Sequence, residues 1–340
     1  MEKYHVINVR NGLFMNISKL NIYSYAAPFK APIKTNLITL NEREVLVAGV
    51  VIDGVEYYAE ANSFETPWYH FETIETVYQS LVSQFEIIKN RPLSSIETLN
   101  ALLDPEKPNA SSCFDIIAYQ YFNQLQPVTV LIGQTLHHDA RAIQPNAARV
   151  KLKMHNNILE QVQFIRKTSD IQIVIDANGL MDANHFDLIC KLSEYDILYF
   201  EEPFSSIEDY RSIHRLNPKI NLAIDESATD AHTIQQFYNI GVNTAVIKYS
   251  RLGGVTSALK IKENLPEMKL VSGGMYEFGL SKYFTALLGE TFQTVPDITP
   301  KGTYFAHDFT EYDEIINDNR LNISVPEVQK SHLTLLASYN

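Results

Sequence analysis

The sequence predicts an α/β chain built as a parallel (β/α) barrel preceded by a smaller α+β domain. From Val128 onward, seven short apolar runs alternate with amphipathic stretches. Five ionisable residues stand at the ends of those runs at a nearly constant interval. Before residue 126 the order differs, with strands first and helices after.

In the first part, Tyr4–Val9 alternates apolar and polar residues. Val45–Val51 and Val55–Glu60 read as a hairpin around Asp53-Gly54, a favoured two-residue turn. Between Thr73 and Ile88 the residues Ile74, Val77, Tyr78, Leu81, Phe85 and Ile88 recur at three and four, which makes one helical face. Ser94–Leu103 and Ser111–Leu125 repeat the pattern, the second capped by Ser111/Ser112 and stopped at Pro127. The segments Met15–Thr35 and Ser63–Trp68 are expected to form loops over the barrel mouth.

The seven runs are VTVLIG, ARVKLKM, IQIVIDA, ILYFEEP, NLAIDES, TAVIKYS and KLVSGGM. Strand–helix repetition implies a parallel sheet. Even spacing favours closure into a barrel, and no GxGxxG follows any run, as an open dinucleotide-binding sheet would require.

Chemistry enters at the run ends. Lys153, Asp176, Glu201, Asp225 and Lys248 are spaced by 23, 25, 24 and 23 residues. One strand–helix unit has about that length, and the C-terminal ends of barrel strands meet at one mouth. Three carboxylates brought together repel one another unless a cation lies among them. A hard divalent ion with oxygen ligands, such as Mg²⁺, answers that need; the lack of Cys or His at matching positions disfavours zinc. A lysine beside such an ion loses preference for its ammonium form and becomes a better base. Any one strand-end acid reads equally well as a helix cap or surface ion pair, but five at one interval do not. Lys151 shares the face of Lys153. Asn178 shares the face of Asp176 and could bond substrate or a metal-bound water. Glu202 and Glu226 point away from their neighbours and suit supporting or capping roles.

Composition excludes several functions. The 340 residues carry a formal charge of −12, which argues against a nucleic-acid partner. No apolar stretch of about 18 residues is present, so no membrane span is expected. MEKYHVINVRNG lacks the basic start and apolar run of a signal peptide, and Cys113 and Cys190 stand alone and far apart. The expected location is cytoplasmic. His137-His138-Asp139 reads as a surface loop rather than a second metal site, and Gly253-Gly254 and Gly273-Gly274 are weak phosphate cradles without a P-loop lysine.

At these residues the sequence resembles the enolase superfamily. KLK at 151–153, DAN at 176–178, EEP at 201–203, DES at 225–227 and IKYSRLGG at 247–254 are similar to its o-succinylbenzoate synthase branch. GGMYEFG at 273–279 resembles the strand-seven loop of that branch and of its N-succinylamino acid racemase relatives. The resemblance implies a modified (β/α)₇β TIM-type barrel over 126–304. It also implies an α+β capping domain over 1–125, completed by 305–340. It implies Mg²⁺, with Mn²⁺ able to substitute, held by Asp176, Glu201 and Asp225. Lys153 would take the α-proton of a small carboxylate substrate and then protonate the departing hydroxyl. Lys248 would lie opposite and stabilise the enediolate, and Lys151 would support Lys153. Asn178, Gly273, Gly274 and Met275 would meet the substrate. The cap aromatics Phe14, Tyr23, Tyr25, Phe29 and Trp68 suit an apolar succinyl-ring substrate, though such residues more often form the cap's own core.

The activity so implied is Mg²⁺-dependent dehydration of 2-succinyl-6-hydroxy-2,4-cyclohexadiene-1-carboxylate to o-succinylbenzoate, a step of menaquinone synthesis. Two other readings remain: racemisation of N-succinylamino acids or epimerisation of dipeptides on the same site, and a non-catalytic binding protein on the same fold. Assembly into a homo-oligomer is left open.

Overall fold

The computed structural model describes residues 14–35, 37–136 and 142–340. Tyr4–Val9 and His137-His138-Asp139 lie outside them. The chain begins with β1 (Met15–Lys34), antiparallel to β2 (Thr39–Ile52). Asp53 and Gly54 then turn the chain into β3 (Val55–Ala61), as the hairpin reading requires. Both turn residues take left-handed φ, 49° and 83°, the backbone of a tight two-residue turn. Met15–Thr35 is therefore a correction: all of it but Thr35 forms a 20-residue strand and not a loop. Ile17, Leu20 and Ile22 bury one side of it, and pairing with β2 along most of its length satisfies the backbone.

α1 (Ile74–Ile88) starts where expected, with the Thr73 side chain accepting from the Thr76 N–H. β4 (Pro92–Leu93) pairs with β1, and α2 (Ile96–Asn100) is capped by Ser95. α3 (Pro108–Phe122) corrects a second expectation, since it begins at Pro108 and not at Ser111/Ser112. Proline at the first turn is pre-set for a helix. The serines lie inside it: Ser111 Oγ donates to Gln84 Oε1 (3.0 Å) and Ser112 Oγ to the Asn109 carbonyl (2.7 Å). Nearly every side chain of α3 is buried, because it packs against β3 on one side and against the barrel on the other.

β5 (Val128–Leu131), taken from the sequence as the first barrel strand, pairs antiparallel with residues 320–323. The barrel starts one step later at β6 (Gly133–Leu136). It continues through β7 (Arg149–Lys153), β8 (Gln172–Asp176), β9 (Ile197–Glu201), β10 (Leu222–Ile224), β11 (Thr244–Ile247) and β12 (Lys269–Ser272), all parallel and in sequential order. α4 (Ile158–Arg166), α5 (Phe186–Ser193), α6 (Ile207–Leu216), α7 (Ala231–Asn239) and α8 (Val255–Asn264) connect β7 to β12 in turn, and α9 (Gly279–Phe292) follows β12. Asp297 then bridges Gly273 in parallel and extends the sheet past β12. From β7, the strand next to the other edge, Arg149 donates to the Val295 carbonyl (2.8 Å), which draws the curled sheet together.

Strand alternation sorts the side chains. Val174, Tyr199, Ala223, Val246 and Val271 pack together as a small inner core, while Val150, Leu152, Ile173, Ile175 and Phe200 join the large outer core under the helices. After the barrel, β13 (Thr310–Glu311) pairs with the later β16 (Glu327–Val328). β14 (Glu314–Asn317) and β15 (Arg320–Ile323) join β5. Finally β17 (Thr334–Tyr339) returns to the first sheet beside β1.

The joint between α3 and the barrel is tight at Gly254. Its φ is 133°, and a Cβ there would run into the side chain of Asp115, which accepts from the Thr256 N–H (3.0 Å) at the start of α8. Gly254→Ala is expected to lower the unfolding free energy by about 3 kcal/mol. Urea denaturation checks this, and an unchanged midpoint would show that the joint relaxes.

Candidate active site

The strand ends carry the charged residues because four of the five inner-core positions are followed, two residues on, by an ionisable one: Val174 by Asp176, Tyr199 by Glu201, Ala223 by Asp225, Val246 by Lys248, while Val271 is followed by Gly273. Lys153, Asp176 and Glu201 stand directly side by side in the pairing register of β7, β8 and β9. Ala223, not Asp225, pairs with Glu201, and Thr244 pairs with Ala223. The even interval of the sequence is thus a staircase, with Asp225 and Lys248 just past the ends of β10 and β11. Left-handed residues end two of the strands at this level, Asn178 (φ 48°) with Gly179 (φ 71°) after β8 and Glu202 (φ 37°) after β9.

Each acid is turned toward a cation of the chain. Lys153 Nζ donates to Asp176 Oδ2 (2.5 Å) and to Asn178 Oδ1 (3.0 Å). Lys151 Nζ donates to Glu201 Oε1 (2.6 Å) and to Asp297. Lys248 Nζ donates to both oxygens of Asp225 (2.7 Å each) and lies 5.5 Å from the centre of the Tyr69 ring. Arg251 adds bonds to the Asp225 side chain (3.1 Å), to its carbonyl (2.8 Å) and to Tyr69 Oη (3.2 Å). Lys151 and Lys248 are buried, whereas the Lys153 side chain keeps 32% of its surface open.

Burial pushes the Glu201 carboxyl well above its usual range, and Asp176, Asp297 and Asp225 add to that against the opposing pull of Lys151. Burial lowers Lys151, but Asp297 first, then Glu201 and Asp176, outweigh it, and its ammonium is held well above the usual range. Burial also raises Asp225, yet Lys248 and Arg251 bring it below the ordinary carboxylate value. Negative charge is therefore in surplus around Glu201, whose Oε2 is buried without a hydrogen-bond partner. Among the described residues no three acid, imidazole or thiol groups are gathered as a finished metal cage. Even so, an all-oxygen donor set with excess acid and an unpartnered carboxylate oxygen suits a hard divalent cation.

The supporting residues take several forms. Glu202 is buried and accepts from the Asp225 N–H (2.6 Å), the Ser227 N–H (3.2 Å) and the Ser227 hydroxyl, so it holds the turn that carries Asp225. Asn178 Nδ2 donates to Glu226 Oε1 (3.0 Å). Gly273 lies against Lys248: a Cβ there would come within 3.3 Å of Lys248 Cε and 2.8 Å of Val246 Cγ1. Gly274 and the half-buried Met275 continue from it along the loop after β12. Gly254 faces the Asp115 carboxylate, which suits helix packing and not phosphate.

Of the cap aromatics, Phe29 packs on Tyr276 (5.5 Å between ring centres) and Phe305 (4.9 Å), and Tyr25 on Phe278 (5.0 Å). Trp68 packs on Phe64 (4.8 Å), Tyr23 bonds Glu56 (2.8 Å), and Phe14 is exposed.

Sequence reasoning missed Asp297, Arg149, Arg251 and Tyr69. Arg149 was within reach, because it is two residues before Lys151 on the same face and donates to Asp297 and to Tyr199 Oη (3.2 Å). Asp297 and Tyr69 come from segments without periodicity, and Arg251 from the short turn at 249–252.

A barrel mouth under an N-terminal antiparallel cap is the fold of the enolase superfamily. The family model described as enolase C-terminal domain-like matches residues 136–267. The o-succinylbenzoate synthase of Bacillus subtilis is 26% identical over 91% of this chain and 92% of its own length. The o-succinylbenzoate synthase of Listeria innocua is 24% identical over 92% of each chain. Among solved structures, an enolase-superfamily protein of Listeria innocua aligns with a TM-score of 0.81 at 22% identity, over 96% of this chain and 98% of that one. A dipeptide epimerase of Cytophaga hutchinsonii, complexed with Mg and D-Ala-L-Val, aligns at 0.78 and 19% identity, over 96% of this chain and all of that one (100%). At these identities the structures establish the shared fold.

Lys151 is the ammonium shared by two acids. Lys151→Ala is expected to lower the unfolding free energy by about 3 kcal/mol, because it strands buried charge. Denaturant titration reads it, and stability equal to wild type would show that Arg149 alone holds Asp297.

Proposed function

We propose that the chain is an o-succinylbenzoate synthase. In this reading it removes the α-proton of 2-succinyl-6-hydroxy-2,4-cyclohexadiene-1-carboxylate and expels the ring hydroxyl as water, for menaquinone synthesis in the cytoplasm. The observation that carries this reading is the difference among the three lysines. Lys153 alone keeps an open face beside Asp176, while Lys151 and Lys248 are buried among acids. A base must reach substrate, and Lys153 can. Lys248, gripped by both oxygens of Asp225, is suited to remain a fixed positive charge opposite the reacting face.

Asp176, Glu201 and Asp225 would hold Mg²⁺, with Mn²⁺ able to take its place. Bound there, the ion supplies positive charge to the substrate carboxylate as negative charge builds on it. The chain's own part is then simple. Lys153 Nζ accepts the α-proton as the substrate carboxylate takes up the electron pair. The same ammonium returns that proton to the departing hydroxyl on the same face, so one residue serves both transfers and the ring becomes aromatic. Asn178 keeps Lys153 aimed through its 3.0 Å bond, and Gly273–Met275 admit the substrate beside Lys248.

A second reading is racemisation, since Lys153 and Lys248 extend from β7 and β11 on either side of the acids. For that reaction Lys248 would have to exchange a proton, which its grip by both oxygens of Asp225 opposes. Dipeptide epimerisation needs a late-strand acid free for an ammonium. Asp297 is taken by Arg149 and Lys151, which weighs against it.

Turnover of the cyclohexadiene substrate with Mg²⁺, followed by ultraviolet absorbance, tests the proposal. Wild type is expected to consume the diene, chelation to stop it, and Lys153→Ala to slow it by about 10³-fold or more. An inert wild type that exchanges the α-proton of N-succinylamino acids would transfer the assignment to a racemase.

A further inference from the structure

The loop after β12, residues 273–278, is gripped from the cap. Glu60 of β3 is buried and accepts from the N–H groups of Phe278 (3.2 Å) and Ser281 (3.2 Å), so a cap carboxylate seats on the first turn of α9. Two residues on, Asn62 Nδ2 donates to Glu277 Oε1 (3.2 Å). Glu277 also accepts from Thr285 Oγ1 of α9 at 2.8 and 2.9 Å.

Asn62 is itself fixed within the cap. Its N–H donates to Asn109 Oδ1 (3.1 Å) and its Oδ1 accepts from Arg43 Nη2 (3.1 Å). Arg43 is buried, bonds the Ser63 carbonyl and lies 3.9 Å from the Phe64 ring centre.

On its other side Glu277 presses on the loop. A Cβ at Gly274 would run into the Glu277 carboxylate and sit 3.2 Å from the Asp297 carbonyl, and Gly273 lies on the Lys248 chain. Tyr276 between them holds a φ of 50°, a conformation that persists in a non-glycine residue only when its surroundings impose it. Burial and the nearby Glu60 push the Glu277 carboxyl up to about 8. Hydrogen bonding, not net charge, is therefore the stronger part of its grip.

We propose that Glu277 is a positioning residue through which the cap sets residues 273–275 over Lys248, with Asn62 holding it from the cap, Thr285 from α9, and Gly274 lying against it. The proposal rests on the proton-transfer reading of the mouth. It adds that the cap segment following Asn62 and the loop beside Lys248 move as one unit. A substrate that seats the cap would thereby also set the loop.

Hydrogen–deuterium exchange of the full chain tests this without substrate, read at amides 274–278 for wild type, Asn62→Ala, Glu277→Ala and Glu277→Gln. Each alanine variant is expected to exchange about tenfold faster there, the effect of one lost hydrogen bond. Amides of β8 and β9 should exchange as in wild type. Glu277→Gln keeps an acceptor for Asn62 and Thr285 and should stay within about threefold of wild type. Asn62→Ala cuts the same contact from the cap side and decides the matter should Glu277→Ala fail to fold. Unchanged loop exchange in the folded alanine variants overturns the proposal, as does a glutamine variant that exchanges like alanine. In turnover, kcat is expected to fall about tenfold in the alanine variants with KM moving less than about threefold. A wild type inactive on the cyclohexadiene sinks the proposed reaction, and the exchange result then still decides the coupling.

Discussion

Four carboxylates, Asp176, Glu201, Asp225 and Asp297, meet at one end of the barrel with little or no access to water. Like charges this close and this buried cost several kcal/mol each unless opposite charge accompanies them. The chain supplies Lys151, Lys153, Lys248, Arg149 and Arg251, every one from the same strands or from the turn just past them. The inner apolar layer beneath can close only because this charged layer above it is balanced. The closing segment at Asp297 is likewise fastened to β7 through Arg149 and Lys151. Fold and site are the same set of contacts seen from below and from above.

Within that layer the three lysines differ by environment alone. Lys151 is shared between two acids, Lys248 is bound by one acid and flanked by an arginine and a tyrosine ring, and Lys153 has one acid and one amide and a face left open. An open face beside a carboxylate is what a proton carrier requires, and enclosure is what a fixed charge requires. The cap completes the enclosure of Lys248 through Tyr69 and leaves Lys153 accessible.

Much of this was legible in the sequence, for a physical reason. A strand places alternate residues on one face, so Lys151/Lys153 and the acids at 176, 201 and 225 could be assigned to a common mouth from spacing alone. The hairpin at Asp53-Gly54 was legible because few residue pairs accept left-handed backbone. Other parts were not. A short apolar run such as Val128–Leu131 looks the same whether its partner is parallel or antiparallel, and only the returning strand at 320–323 decides it. β1 carries prolines and polar residues that disguise a strand whose pairing with β2 is set by contacts distant in sequence. Ser111 and Ser112 resemble a helix cap because serine bonds backbone locally, yet here they turn inward to Gln84 and Asn109. Asp297 belongs to no periodic element, so nothing local announces that it holds Lys151.

The pairing of β17 with β1 has a consequence for the order of assembly. During synthesis the residues of β1 leave the ribosome some three hundred positions before their neighbour in the sheet. At elongation speeds of about 5–20 residues per second the cap then waits tens of seconds with one edge bare. An unpaired strand edge invites pairing with other chains. The barrel, whose strands join in sequential order, can assemble in that interval, so the cap sheet gains its last edge strand only after every barrel strand has been made.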